Sequence, residues 1–213
     1  MSRKPSRLLP PALFAICLIL VPVAAFAQGE DHAHGDHAGG DHGHAEGGAD
    51  AEMAAMMALA QPGEHHAHLA TYAGTWNTKT TMWQQPGAEP VTGSGTTVNT
   101  PILGGRYMQG EVTGNFMGMP FEGLSIEGYD NGTKRHIGFW IDSMGTMMMH
   151  FEGECSDDHK VVTTTSDFNM LGQRLKMKTI TTAHDENRYS MEGWLGPDEA
   201  QMFKTMQIEY TRN

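Results

Sequence analysis

Five histidines and three aspartates crowd into residues 31–44, as Asp31-His32-Ala33-His34-Gly35-Asp36-His37 and then Asp41-His42-Gly43-His44. Neutral imidazole suits Zn²⁺, Ni²⁺ and Cu²⁺, and a His-x-His spacing lets two rings reach one ion. The carboxylates beside them raise the local cation concentration. His32, His34, His37, His42 and His44 are therefore candidate ligands for a divalent metal. Glycine and alanine between them impose no geometry, so the tract cannot be a preorganised catalytic site. A solvated spacer of biased composition would show the same residues, and both readings stand. His65, His66 and His68 follow further on, either as an extension of the metal-binding tail or as polar residues of a connector.

Methionine is the second soft donor in excess, at 17 residues of 213. Met117-Gly118-Met119 and Met147-Met148-Met149-His150 offer thioethers that suit Cu(I), with an imidazole to complete a site. On a strand, however, Met147 and Met149 point one way while Met148 and His150 point the other, so no face gathers all four. That alternation favours core packing or the lining of a cavity. Catalytic patterns are missing: there is no Gly-x-Ser-x-Gly, no phosphate-cradling loop, no dinucleotide fingerprint and no His-Glu-x-x-His. With 14 basic against 25 acidic residues the net charge is −11, which argues against a nucleic-acid partner.

The elements that must position these residues come in four stretches. Residues 1–27 read as a signal peptide: Arg3, Lys4 and Arg7, an apolar run over 13–23, then the small-x-small pattern Ala25-Phe26-Ala27. The run is short and broken by Pro22, so no stable membrane anchor is expected after cleavage. Cleavage would remove three basic residues and no acid, leaving 11 basic against 25 acidic and a charge of −14. It would also remove Cys17, so that Cys155 stands alone, as a buried thiol or an intermolecular bridge. Residues 28–52 form the disordered His-rich tail, with too little apolar surface to offset chain entropy. Residues 53–68 give a short helix and connector. Met53, Met56 and Met57 share one helical face, Asp50 serves as N-cap, and Pro62-Gly63 stops the helix. The Met stripe is expected to pack over the end of the domain that follows.

From residue 69 to 213 the pattern is β. Turn residues recur every few positions between runs rich in Thr, Val, Ile, Tyr and Trp, giving ten candidate strands near 70–83, 90–99, 105–115, 119–130, 134–142, 146–155, 159–168, 173–183, 187–195 and 202–212. An all-β, antiparallel up-and-down barrel of about ten strands accounts for them, with a sandwich as the other arrangement. Asn131-Gly132 predicts a two-residue type I′ turn. That turn pairs Asp130 with Thr133, Ile126 with Ile137 and Leu124 with Phe139. The aliphatic side would then face the core, with Glu127 and His136 as an outer pair and His136 on the surface.

Gly74-Thr75-Trp76 on the first strand and Arg212 on the last suggest how the barrel closes, since in lipocalin-like (calycin) barrels a Gly-x-Trp indole packs against an Arg from a late strand. The wider pattern resembles the bacterial family known as domain of unknown function 1579. It is carried by His68-Leu69, Gly74-Thr75-Trp76, Leu103-Gly104-Gly105-Arg106-Tyr107, Phe121-Glu122-Gly123, Gly128-Tyr129-Asp130-Asn131, Trp140-Ile141-Asp142-Ser143-Met144-Gly145-Thr146 and Tyr210-Thr211-Arg212. The resemblance covers roughly residues 53–213 and implies a lipocalin-like barrel, with no established reaction. A similarity to ten-stranded haem-binding barrels of the nitrobindin kind is more distant, and no motif carries over a haem-ligating histidine.

Within this pattern Trp76, Arg106, Tyr129, Trp140, Asp142 and Arg212 are the candidate ligand contacts. Asp130 is explained by its turn, and Asp142 by backbone donors in the loop after it. Three functions follow as expectations. The first is an exported, non-enzymatic binding protein, periplasmic or extracellular, whose barrel holds a small hydrophobic ligand and whose tail binds metal. The second is a periplasmic Zn, Ni or Cu handling protein with the tail as the working part. The third is an enzyme of unrecognised class.

Overall fold

The computed structural model of the protein describes residues 46–116 and 118–213. Residues 1–45, which include the expected signal peptide and the tail histidines, and Met117 lie outside the described residues. Two helices come first, Glu46–Leu59 (α1) and Glu64–Ala70 (α2). Ten strands follow: Gly74–Met82 (β1), Val91–Ile102 (β2), Tyr107–Phe116 (β3), Met119–Asp130 (β4), Arg135–Asp142 (β5), Met149–Cys155 (β6), Val161–Met170 (β7), Gln173–Asp185 (β8), Arg188–Gly196 (β9) and Phe203–Arg212 (β10). Each pairs antiparallel with its sequence neighbours, and β1 pairs with β10, so the sheet closes into a barrel. The sandwich is excluded, because closure leaves no edge strand.

Closure is made by the residues expected to make it. Trp76 pairs with Arg212 across β1 and β10, and the guanidinium carbon sits 4.1 Å from the indole centroid. Trp76 is the largest fully buried side chain, and its indole N–H donates to the Tyr72 carbonyl at 2.8 Å. The rest of the Arg212 fork donates to the carbonyls of Ala73, Thr71 and Glu186 at 2.8, 2.9 and 3.0 Å. One side chain thus ties together the last strand, the lead-in to the first and the turn before β9.

Alternation along the strands, followed from Trp76 through the register, identifies the inner face. Thr97, Val112, Gly123 and then Ser125, Glu127 and Tyr129 point inward, as do His136, Gly138 and Trp140. This reverses the expected orientation of the β4–β5 hairpin. Ile126, Ile137 and Phe139 lie on the outer face, where they line a shallow groove of about 610 Å³ together with Tyr107 and His150. The register differs as well: Asp130 pairs with Arg135, Tyr129 with His136, and Glu127 with Gly138. Asp130 is the cause. Its carboxylate accepts from Gly132 N and from the Thr133 hydroxyl at 2.8 and 2.7 Å, which folds residues 131–134 into a four-residue turn closed by Lys134 N–H to Asp130 O. Lys134, at φ 59°, takes the left-handed position. The two-residue turn with positive φ at both centres occurs instead at Leu171-Gly172, with φ 50° and 79°.

The Met stripe also behaves differently. Met53, Met56 and Met57 of α1 are exposed, and the element that packs on the barrel is α2, through His66 and Leu69. At the other end of the barrel Met119, Met147 and Met148 are exposed, so these three neither fill the core nor line a cavity. Removing Arg212 should open the first-to-last strand seam. We expect Arg212→Ala to lower unfolding stability by about 2–4 kcal/mol, from a lost cation–π contact and three carbonyls left short of donors, as read from urea denaturation.

Candidate metal centre at the capped end

Helix α2 lies across one end of the barrel, and its position is fixed by two side chains of the barrel rim. The Asn131 amide in the β4–β5 turn donates to the carbonyls of Leu59 and Gln61, both at 2.8 Å. Arg106 donates through Nε to the Ala60 carbonyl at 3.1 Å. The helix begins where Gly63 N donates to His66 Nδ1 at 3.0 Å, and it ends at Thr71. The residues expected to be a connector therefore form a helix that lowers His65 and His68 toward the barrel.

Beneath α2 the side chains form a nest of imidazoles. His65 stacks on Tyr129 with ring centroids 3.8 Å apart and planes 13° from parallel. His159, in the β6–β7 turn, meets His65 edge-on at 4.8 Å and His68 at 5.3 Å. His136, from the inner face of β5, meets His65 edge-on at 5.6 Å. Far from being a surface residue, His136 is 4% exposed. Cys155 closes the group, its Sγ 3.6 Å from His159 Nδ1. One donor atom each from His65, Cys155 and His159 lies within 4.8 Å of the others.

Two further observations mark this nest as unsatisfied. His65 Nδ1, His68 Nε2 and His136 Nε2 are buried without a hydrogen-bond partner, as is the Tyr72 hydroxyl. An orphaned buried polar atom costs about 1–3 kcal/mol, and here three of them are ligand-type nitrogens. The electrostatics keep them in ligand form. Burial, then the neighbouring His159, lowers the pKa of His65 and of His68. Burial and the surrounding histidines pull His136 down to about 4, so at neutral pH these rings are uncharged donors. Burial, with Asp158 behind it, pushes the Cys155 thiol up. That runs against a free thiolate nucleophile and leaves displacement of the thiol proton to a bound cation.

The six candidate contacts of the sequence reading divide. Tyr129 belongs to the nest. Trp76 and Arg212 hold the barrel closed, and Arg106 holds the connector. Trp140 and Asp142 sit toward the opposite end, where the indole N–H donates to Asp142 Oδ2 at 2.8 Å and Asp142 Oδ1 accepts from Met144 N at 2.9 Å. Cys155 was read only as a buried thiol or an intermolecular bridge, and His159 was missed altogether. Their i, i+4 spacing across a Ser-Asp-Asp turn was the available signal. His136 was missed because the hairpin was turned inside out.

Deeper in the barrel, Glu127 is an inward carboxyl opposite Gly138. Burial raises its pKa above the ordinary 4.5, partly offset by a hydrogen bond with Ser125.

The fold and its cap define the class: an up-and-down β-barrel of ten strands with a short helix across one end. A family model described as a protein of unknown function (DUF1579) matches residues 61–212. The chain belongs to that family. No curated protein matches the sequence.

Two measurements test this account of the capped end. Asn131→Ala should free the 59–61 connector and cost about 1–2 kcal/mol, for two exposed amide–carbonyl bonds, with hydrogen exchange accelerated in α2. The second concerns Glu127. Folding favours its protonated form, so the penalty is absent below pH 4.5 and grows as pH rises through the raised folded value. Glu127→Gln should therefore raise the melting temperature at pH 8 and leave it nearly unchanged at pH 4.

Proposed function

We propose that the protein is an exported, non-enzymatic transition-metal-binding protein whose structured site is the Cys/His nest under α2. The observation that carries the reading is the approach of His65, Cys155 and His159 donor atoms to within 4.8 Å. The orphaned nitrogens of His68 and His136 stand ready as a fourth ligand. Imidazole and thiolate select zinc or copper over magnesium or calcium, which take oxygen donors. Binding would release the Cys155 proton, while burial already favours the uncharged form of His65, His68 and His136.

Export is supported by the basic, apolar and small-residue order of residues 1–27, and the protein would then act in a periplasm or outside the cell. The tail histidines His32, His34, His37, His42 and His44 then act as a loose collector of the same ions. They would raise the local metal concentration, while the nest supplies the preorganised site.

The test is titration of the chelator-treated mature chain, with and without residues 28–52, by Co²⁺ and Zn²⁺. Without the tail one ion per chain should bind at micromolar affinity or better, and Co²⁺ should give a thiolate-to-metal charge-transfer band. Cys155→Ser should abolish that band, and His159→Ala should weaken binding at least tenfold. A tailless chain that binds no metal, or a cobalt spectrum without thiolate, would overturn the reading.

A further inference from the structure

The barrel wall leaves its own interior unfilled. Among the described hydrophobic side chains Leu69, Trp76, Met108 and Tyr189 are buried, all at or near the capped end. Inward residues further along, such as Phe151, Met191 and Ile208, are only half-buried although the strands close around them. Glycine contributes to the space: Gly110, Gly123, Gly138 and Gly193 all stand at inward positions. At Gly123 and Gly138 an added Cβ would run into the Trp140 and Phe151 rings, which lie flat against the wall there.

Glu127 projects into this space with no cation paired to it among the described residues; the other inward carboxylate, Asp142, is committed to the Trp140 indole N–H and to Met144 N. Glu127 lies deep among the strands and is nonetheless half-buried rather than closed off, as is Tyr210. By the register, the lysines of β1, β8 and β10 all fall on the outer face. Arg212 is the inward cation, and its fork is committed to three carbonyls and the Trp76 face. Groups able to accept a hydrogen bond also face inward. The Tyr72 hydroxyl and Thr97 Oγ1 are buried with no partner, while Tyr189 and Tyr210 stack at 4.0 Å and Tyr72 stands edge-on to Tyr189 at 4.9 Å. Burial above all pushes the three phenols up, with Glu127 a lesser contributor.

We infer that the barrel interior is a binding site for a small apolar amine, its ammonium seated on Glu127 and its hydrocarbon part against the aromatic and thioether wall. An ammonium supplies three N–H donors, which matches a chamber of orphaned acceptors. It also supplies the cation that the buried carboxyl lacks, and aromatic faces hold it further. An organic anion would meet Glu127 and an acidic protein, and is repelled by both. A neutral alcohol can fill the space but leaves the charge uncompensated. The inference is independent of the metal reading, since it uses none of the Cys/His donors.

The experiment is calorimetric titration of the chelator-treated mature chain with 3-phenylpropylamine, 3-phenylpropanol and 3-phenylpropanoate. Chelation removes any amine–metal bond as a source of signal. The amine should bind at least tenfold more tightly than the alcohol, and the carboxylate should not bind. Glu127→Gln keeps the side-chain shape and should bring the amine to the affinity of the alcohol, with alcohol binding retained as proof of an intact chamber. Glu122→Gln, an exposed acid on the same strand, should leave the preference unchanged. Equal affinities for amine and alcohol, a preference that survives Glu127→Gln, or no binding by any of the three would overturn the inference.

Discussion

The contact between Arg212 and Trp76 is the constraint on which the rest depends. A ten-stranded barrel closes where its first and last strands meet, and here the ladder from Trp76–Arg212 to Met82–Met206 is anchored at the capped end by one guanidinium between an indole face and three carbonyls. Two of those carbonyls, on Thr71 and Ala73, belong to the segment that leads out of α2. The bond that closes the barrel therefore also sets where the helix stops, and so how deep His65 and His68 hang. Asn131 and Arg106 fix the other end of the same helix. Three donors, each aimed at backbone carbonyls, thus hold a seven-residue helix that would not persist alone.

Once the cap is held, its chemistry follows from exclusion of water. Imidazoles that would share protons with solvent are kept neutral, because burial and mutual repulsion disfavour more than one charge in so small a volume. His65, His68 and His136 thus each bring an uncharged ring nitrogen that lacks a partner. In most proteins such atoms are satisfied by backbone or water, and clustering of unsatisfied ligand nitrogens beside a thiol is the physical content of the proposed metal site. The interior beyond the cap is lined instead by half-buried side chains, by glycines and by the inward acid Glu127.

How much of this was legible in the sequence depends on the range of the interaction. The ten strands and their order were readable because turn residues punctuate them locally, and β4 runs over the very residues expected, 119–130. The Gly74-Thr75-Trp76 and Arg212 pairing was readable because the strand count makes first and last neighbours. The β4–β5 hairpin was not. Asp130 outcompeted the Asn131-Gly132 signal by capturing Gly132 N–H with its own carboxylate, which lengthened the turn. The inward face was misassigned for a separate reason: a hollow barrel can turn Glu127 and His136 inward and leave Ile126 and Phe139 outside, which a filled core would not tolerate. The metal nest was invisible for the same reason of range, since His65, His136 and Cys155 come from three separate elements.

Tyr72 joins the two regions. Its ring stands edge-on to His68 at 5.3 Å on one side and to Tyr189 at 4.9 Å on the other, and its phenol, pushed up to about 12, responds first to burial and then to Cys155 and Glu127. The Tyr72 ring thus packs between the nest under the helix and the tyrosines of the interior, so the cap and the barrel lining are built on one shared side chain.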